Sequence, residues 1–163
     1  MIHSKFFIVI ALLIPLNNYA QNIVTTDDLQ TLVGEWTGSL TYMDYSTNNP
    51  YTMPANVIVQ KGKKNNQFIL NINYPKEANA NSKDKIKLSK DGKQLNNHEI
   101  NSKVELPNGS IQITTQYSGK DNGKKALIKN IYIIGTSEFI IRKEVKFENS
   151  TDWLVRNEYT FSR

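Results

Sequence analysis

The chain has 163 residues, 20 Lys and Arg against 15 Asp and Glu, and a formal net charge of +5. It contains no cysteine, which excludes disulfides, thiolate metal sites and lipid attachment through a cysteine. The length suits one domain with a sizeable core, and the basic excess is too mild and scattered to mark a nucleic-acid surface.

Residues 1–20 read as a signal peptide. Lys5 gives the positive start, Phe6 to Ile14 the apolar core, Pro15 the break, and Asn18-Tyr19-Ala20 an acceptable cleavage context before Gln21. The apolar run is shorter than the roughly 20 residues a membrane-spanning helix needs. Export to the periplasm or the extracellular space is therefore expected, with a mature domain over 21–163 and no membrane span left after signal removal.

The segment Thr25 to Val33 is the one helix candidate. Thr26 or Asp27 offers a cap, Asp28 suits the first turn, and Leu29, Leu32 and Val33 share a side. From Gly34 onward the apolar period becomes two. Nine strands are predicted. The first carries Trp36, Gly38, Leu40 and Tyr42, the second Ala55, Val57 and Val59, and the third Phe68, Leu70, Ile72 and Tyr74. The fourth carries Ile86 and Leu88. A fifth covers Gln94 to Leu106, with Ile100, Val104 and Leu106 on the face of His98. The sixth carries Ile111, Ile113, Thr115 and Tyr117, and the seventh runs from Ala126 to Ile134. The last two carry Phe139, Ile141, Val145 and Phe147, then Trp153, Val155, Tyr159 and Phe161. Turn signals such as Lys61-Gly62, Asp91-Gly92, Asn108-Gly109 and Asn122-Gly123 separate them. The lysine clusters at 61–64, 83–93 and 120–129 sit in such turns and read as solvated loops.

Such a meander is too long and too one-sided to stay flat. Rolling up buries its apolar face and removes its edges, so an up-and-down antiparallel β-barrel with a short N-terminal helix is expected. A two-sheet sandwich is the alternative.

Gly34-Glu35-Trp36, following a short helical turn, resembles the first motif of the lipocalins. The stretch Leu40 to Ser46 is similar to secreted bacterial lipocalin-like proteins without assigned activity. The resemblance implies a calycin-type barrel in which Gly34 and Trp36 are structural, Trp36 closes one end, and an arginine near the last strand packs across it. Arg156 and Arg163 are the candidates. The second lipocalin motif and a C-terminal helix have no counterpart here.

Eleven aromatics fall on inward parities: Trp36, Tyr42, Phe68, Tyr74, Tyr117, Tyr132, Phe139, Phe147, Trp153, Tyr159 and Phe161. A buried tyrosine hydroxyl needs a partner, which either a wet ligand cavity or strand-end positions around a filled core would supply. Register adds a sharper expectation. Setting Phe147 opposite Trp153 pairs Lys143 with Asn157 and Ile141 with Tyr159, and outside it pairs Glu144 with Arg156 and Arg142 with Glu158. Setting Ile134 opposite Phe139 brings Asn130 beside Lys143 and Lys129 beside Glu144. Asn130, Lys143 and Asn157 then form one inward polar row. Lys143 either anchors an anionic head group oriented by the two asparagines or lies at the rim with its ammonium in solvent. The outer apolar residues Ile131, Ile133 and Ile140 are expected under the N-terminal helix.

His98 is the one histidine after residue 20, so a zinc site is not expected, and a single axial haem ligand is the residual metal possibility against a surface histidine. No phosphate loop or nucleophile elbow is present. The expected function is non-enzymatic binding of a small hydrophobic or amphipathic ligand by an exported monomer, with no cofactor, no metal and no nucleic-acid partner. The ligand-site candidates are Lys143, Asn130, Asn157, Tyr42, Tyr74, Tyr117, Tyr132 and Tyr159. A filled barrel acting as an envelope interaction module is the first rival, and an enzyme using the barrel as a cup the second.

Overall fold

The period-two pattern that begins at Gly34 builds one continuous antiparallel sheet in the computed structural model, which describes residues 22–163. The expected signal peptide lies outside the described residues. After the helix α1 (Thr26–Gln30) come β1 (Gly34–Met43), β2 (Pro50–Pro54), β3 (Asn56–Lys61), β4 (Gln67–Asn73), β5 (Ser82–Lys87), β6 (Gln94–Leu95), β7 (His98–Glu105), β8 (Ile111–Asp121), β9 (Lys124–Ile134), β10 (Glu138–Phe147) and β11 (Leu154–Ser162). The order around the sheet is β5-β4-β3-β1-β11-β10-β9-β8-β7-β6, with β2 also on β1. An isolated bridge between Leu88 and Leu95, flanked by Asn96 N–H to the Lys87 carbonyl at 2.8 Å, brings the two ends together. The result is a nearly closed all-β barrel, which excludes two stacked layers.

Eleven strands replace the expected nine through two local events. Ser39 faces Pro54 and Trp36 faces Val57 in one unbroken register, with the Ala55 N–H donating to the Gly38 carbonyl between them, so β2 and β3 are a single strand interrupted at Pro54. A proline has no N–H to give the ladder. The expected fifth strand is a hairpin instead. Asn96 and Asn97 hold positive φ (53° and 67°), the left-handed pair a tight two-residue turn requires, and they fold β6 back on β7.

Register stacks the inward side chains of β1, β11, β10, β9 and β8 in layers. Gly38, Phe161, Phe139, Ile134 and Ile111 form the first, and Leu40, Tyr159, Ile141, Tyr132 and Ile113 the second. A Cβ on Gly38 would lie 2.0 Å from the Thr160 carbonyl oxygen, so only glycine lets β1 approach β11 this closely. Trp36, Phe68, Phe139 and Phe161 are essentially buried completely in this half and belong to the main apolar core.

The helix closes that end. Thr25 caps it in a reciprocal pair with Asp28, one residue before the expected cap, and helical structure stops at Gln30 rather than Val33. Leu29 and Leu32 are fully buried in the barrel core, and the Trp36 indole N–H donates to the Leu32 carbonyl at 2.8 Å. The helix is thus a plug. It does not cover Ile131, Ile133 and Ile140, because its apolar side is spent on the barrel interior. Arg163 completes the seal. Its guanidinium lies 4.1 Å above the Trp36 ring and donates to the carbonyls of Val33, Thr31 and Thr136 at 3.1, 3.0 and 2.9 Å. Of the two arginine candidates, Arg163 is the one on Trp36.

Two bulges overturn parity expectations. In β11, Lys143 faces Asn157 as expected, but Glu144 faces Val155 and Val145 faces Leu154, leaving Arg156 as the extra residue. Arg156 therefore points inward rather than to Glu144, Val155 is 45% exposed, and Trp153 turns outward, where the Lys129 ammonium sits 3.8 Å above its ring. In β7 a shift between Ile100 and Ser102 keeps Ile100 buried but turns Val104 outward, 47% exposed. Lys103 then reaches Asp28 at 2.6 Å. The rest of the outer charge ladder forms as expected: Lys129 meets Glu144 at 2.9 Å, and Arg142 meets Glu158.

Candidate functional site

Above the two apolar layers the third layer is polar. Tyr42 faces Asn157, Asn157 faces Lys143, Lys143 faces Asn130, and Asn130 faces Thr115. Beyond it the interior turns apolar again: Ala126, Ile128 and Val145 form a second small core with Tyr117, Phe147 and Leu154. The polar layer divides the two cores.

The β8–β9 hairpin turns at Asn122 and Gly123, both at positive φ (47° and 76°). This tip delivers Asp121, a buried carboxylate, against the polar layer. One oxygen accepts from the Lys143 ammonium at 2.8 Å. The other accepts from the Tyr45 hydroxyl at 3.0 Å and lies 3.0 Å from Arg156 Nε. Arg156 Nε also donates to the Tyr45 hydroxyl at 2.7 Å, and its guanidinium stacks 3.5 Å from the Tyr45 ring centre. Arg156 is 6% exposed, and burial pushes its pKa down. Its Nη2 is buried with no hydrogen-bond acceptor.

A cleft of about 510 Å³ opens over this cluster at the barrel mouth. Leu40, Tyr42, Met43 and Tyr159 form its apolar wall, and Lys143, Arg156, Asn157, Asp121 and the Asp44-Tyr45-Ser46 loop its polar side. Asp44 faces its own loop. Its carboxylate accepts from the Ser46 N–H and hydroxyl and from the Thr47 hydroxyl, bonds that hold its pKa below the ordinary value.

Of the expected site residues, Lys143, Asn157, Tyr42 and Tyr159 share this cleft. Tyr74 stands behind it, its hydroxyl 2.6 Å from that of Tyr159, and burial together with this bond raises the Tyr159 pKa. Asn130 keeps its row position but does not line the cleft. Tyr132 is buried in the main core, its hydroxyl accepting from the Asn96 amide at 3.4 Å, and burial pushes its pKa up to about 12. Tyr117 belongs to the second core and stacks on His98, ring centres 3.5 Å apart. Lys143 is met by an internal carboxylate, Asp121, and keeps 28% of its side chain exposed. Asp121, Tyr45 and the inward Arg156 were not legible as site residues. Asp121 is visible in the sequence only as the start of a turn, and nothing in the pattern marks the bulge.

A larger depression, about 590 Å³, lies on the outside of β1, β3, β4 and β5 among Asn56, Asn71, Asn73 and Asn81. Besides these amides it is lined by Glu35, Lys83, Thr37, Ser82 and Ile58. The mouth cleft is the chemically distinctive one. Among the described residues no cluster of three His, Asp or Glu side chains is placed to hold a metal ion, and no helix is long and apolar enough to cross a membrane.

No family model matches the chain, and no curated protein sequence matches it. Among solved structures, the crystal structure of Rv2717c from M. tuberculosis is similar, with a TM-score of 0.50 and 11% identity over 86% of this chain and 98% of that one. At that identity the likeness speaks to the fold alone: both are all-β, nearly closed barrels.

Proposed function

We propose that this is an exported, lipocalin-like, non-catalytic binding protein that holds a small hydrophobic or amphipathic molecule in the cleft at its barrel mouth. The observation that carries the reading is the cleft itself, about 510 Å³ with an apolar wall and a charged floor, within the range of small-molecule sites. Trp36, Phe68, Phe139 and Phe161 are buried in the other half of the barrel, which favours the mouth as the binding region. Leu40, Tyr42 and Tyr159 supply apolar area, and the Tyr74–Tyr159 hydroxyl pair supplies a polar anchor that is satisfied without ligand. The Trp36–Arg163 seal supports the lipocalin-like affiliation, because it is the closure that the Gly34-Glu35-Trp36 resemblance implies.

The test is equilibrium binding of the uncharged dye Nile red, followed by fluorescence and competed with 1-decanol. Saturable binding at one site is expected, weakened about tenfold by Leu40→Trp, which fills the apolar wall. Absence of saturable binding, or a Leu40→Trp protein that binds like the parent, rejects the reading.

A further inference from the structure

Positive charge is concentrated on one side of the barrel. Residues 61–93 carry nine lysines against three carboxylates, Glu77, Asp84 and Asp91, while residues 22–60 and 94–163 together carry ten Lys and Arg against twelve Asp and Glu. Folding joins the lysine clusters at 61–64 and 83–93, which are separate in sequence. Gln67 faces Lys87, and the Leu88 N–H donates to the Asn66 carbonyl at 2.9 Å, so the β3–β4 turn lies against the end of β5. Asp84 and Ile86 pair with the buried Leu70 and Phe68, which turns Lys83, Lys85 and Lys87 outward as a row with steps of roughly 7 Å. One end of the row enters a cleft of about 340 Å³ where Lys64, Lys87 and Lys90 converge with Asn66, Gln94 and Asn97, and no carboxylate lines it. The other end reaches the 590 Å³ depression, where Lys83 stands with Asn56, Asn71, Asn73 and Asn81. None of the nine lysines is in an ion pair among the described residues, whereas six of the other ten cations are. Guarding a sheet edge accounts for lysines on β5. It does not account for Lys64 and Lys90, which lie off that strand and close on the same cleft.

We infer that this side of the barrel binds an acidic polysaccharide. The lysine row and its cleft take successive carboxylate groups, because clustered cations without partners raise the local potential and draw in anions. The depression holds Glu35 as well as Lys83, so it takes the neutral hydroxyls, for which each asparagine offers both donors and an acceptor. No aromatic side chain faces outward on β3, β4 or β5 to stack on a nucleic-acid base. Ile58 is the one strongly exposed large hydrophobic residue there, too little to enter a bilayer. The surface shares no lining residue with the mouth cleft and stands apart from the reading given for it.

The experiment measures binding of oligogalacturonate, its methyl ester and a single-stranded DNA of equal charge by isothermal titration calorimetry, and of phosphatidylglycerol vesicles by cosedimentation. Oligogalacturonate should bind the parent, lose about tenfold or more in affinity between about 50 and 200 mM salt, and exceed the uncharged ester by about tenfold. Replacing Lys83→Gln, Lys85→Gln and Lys87→Gln together should weaken it by about tenfold. The set Lys120→Gln, Lys124→Gln and Lys125→Gln removes the same charge from the β8–β9 turn and should stay within about threefold of the parent. Asn71→Ala with Asn73→Ala should weaken it by about threefold and leave the salt dependence unchanged, since amides release no counterions. Absence of binding, equal losses in the two lysine sets, or an amide pair without effect overturns the inference. Tighter binding of the DNA or the vesicles than of oligogalacturonate also overturns it, and that comparison needs the parent protein alone.

Discussion

Removing Arg163 tests the closed end of the barrel directly. Its guanidinium covers the Trp36 ring at 4.1 Å and donates to three backbone carbonyls, two of them (Thr31 and Val33) just after α1. A cation over an indole at an exposed site is worth about 0.5–1 kcal/mol. Three solvent-accessible hydrogen bonds at about 0.5 kcal/mol each add roughly 1.5 kcal/mol. Arg163→Ala should therefore cost about 2–2.5 kcal/mol, a fall in melting temperature of about 4–10 °C for a domain of this size. Arg163→Met keeps an apolar stem over the indole and loses every donor. It should recover only the packing share and stay at least about 1 kcal/mol below the parent. Urea unfolding followed by circular dichroism measures all three proteins with a common slope. If Arg163→Met is as stable as the parent, the hydrogen bonds to the helix end contribute nothing, and the seal is packing alone.

Further outcomes follow from other parts of the molecule. Phe139→Ala removes a fully buried ring between Trp36 and Phe161 and should cost about 3–5 kcal/mol in the same urea assay; a loss under 1.5 kcal/mol would mean the first layer is not packed as described. Burial raises the Asp28 carboxyl, but Lys103 at 2.6 Å and the Thr25 bonds outweigh it and leave its pKa below the ordinary value of about 3.9. A depressed folded pKa gives stability that is present above pH 4 and lost as the pH falls further, so Asp28→Asn should flatten the acid limb of a stability–pH curve; an unchanged limb refutes the pairing. Tyr132, pushed up to about 12 by burial, works in the opposite direction. The unfolded chain deprotonates first, so stability should fall between pH 10 and 12, and Tyr132→Phe should lessen that fall; ultraviolet titration of tyrosinate in folded and unfolded protein checks it.

The barrel was legible because its strands alternate and its turns are signed by Asn-Gly, Asp-Gly and Lys-Gly pairs. The registers of β9, β10 and the end of β11 followed from matching apolar residues and opposite charges: Lys143 to Asn130 and Asn157, Lys129 to Glu144, and Arg142 to Glu158 all hold. Period-two reasoning fails where the period itself breaks. Once β11 bulges at Arg156, every parity before it reverses, which is why Trp153 and Val155 face outward. The helix was misplaced for a different reason. Its apolar side fits an outer patch and an open barrel end equally well in sequence, and only the depth of the Leu29 and Leu32 sites inside the barrel decides between them. The role of Asp121 was hidden because it depends on how far a hairpin curls, which no local pattern encodes.

The bulge also explains why the cleft has its chemistry. Without the extra residue, Arg156 would stand outside against Glu144, in a ladder where Lys129 and Arg142 already serve Glu144 and Glu158. An added exposed pair there is worth about 0–1 kcal/mol. Turned inward, the same arginine meets a buried carboxylate, a tyrosine ring and a cleft, where it is costly to desolvate and strongly directional. The outer face gives up little by losing it, whereas the inner face gains a donor with no acceptor of its own. A residue whose inward placement adds burial cost and leaves a hydrogen-bonding group unmet is hard to account for by stability alone. The bulge is the element that places this charged group at the boundary between the two apolar cores.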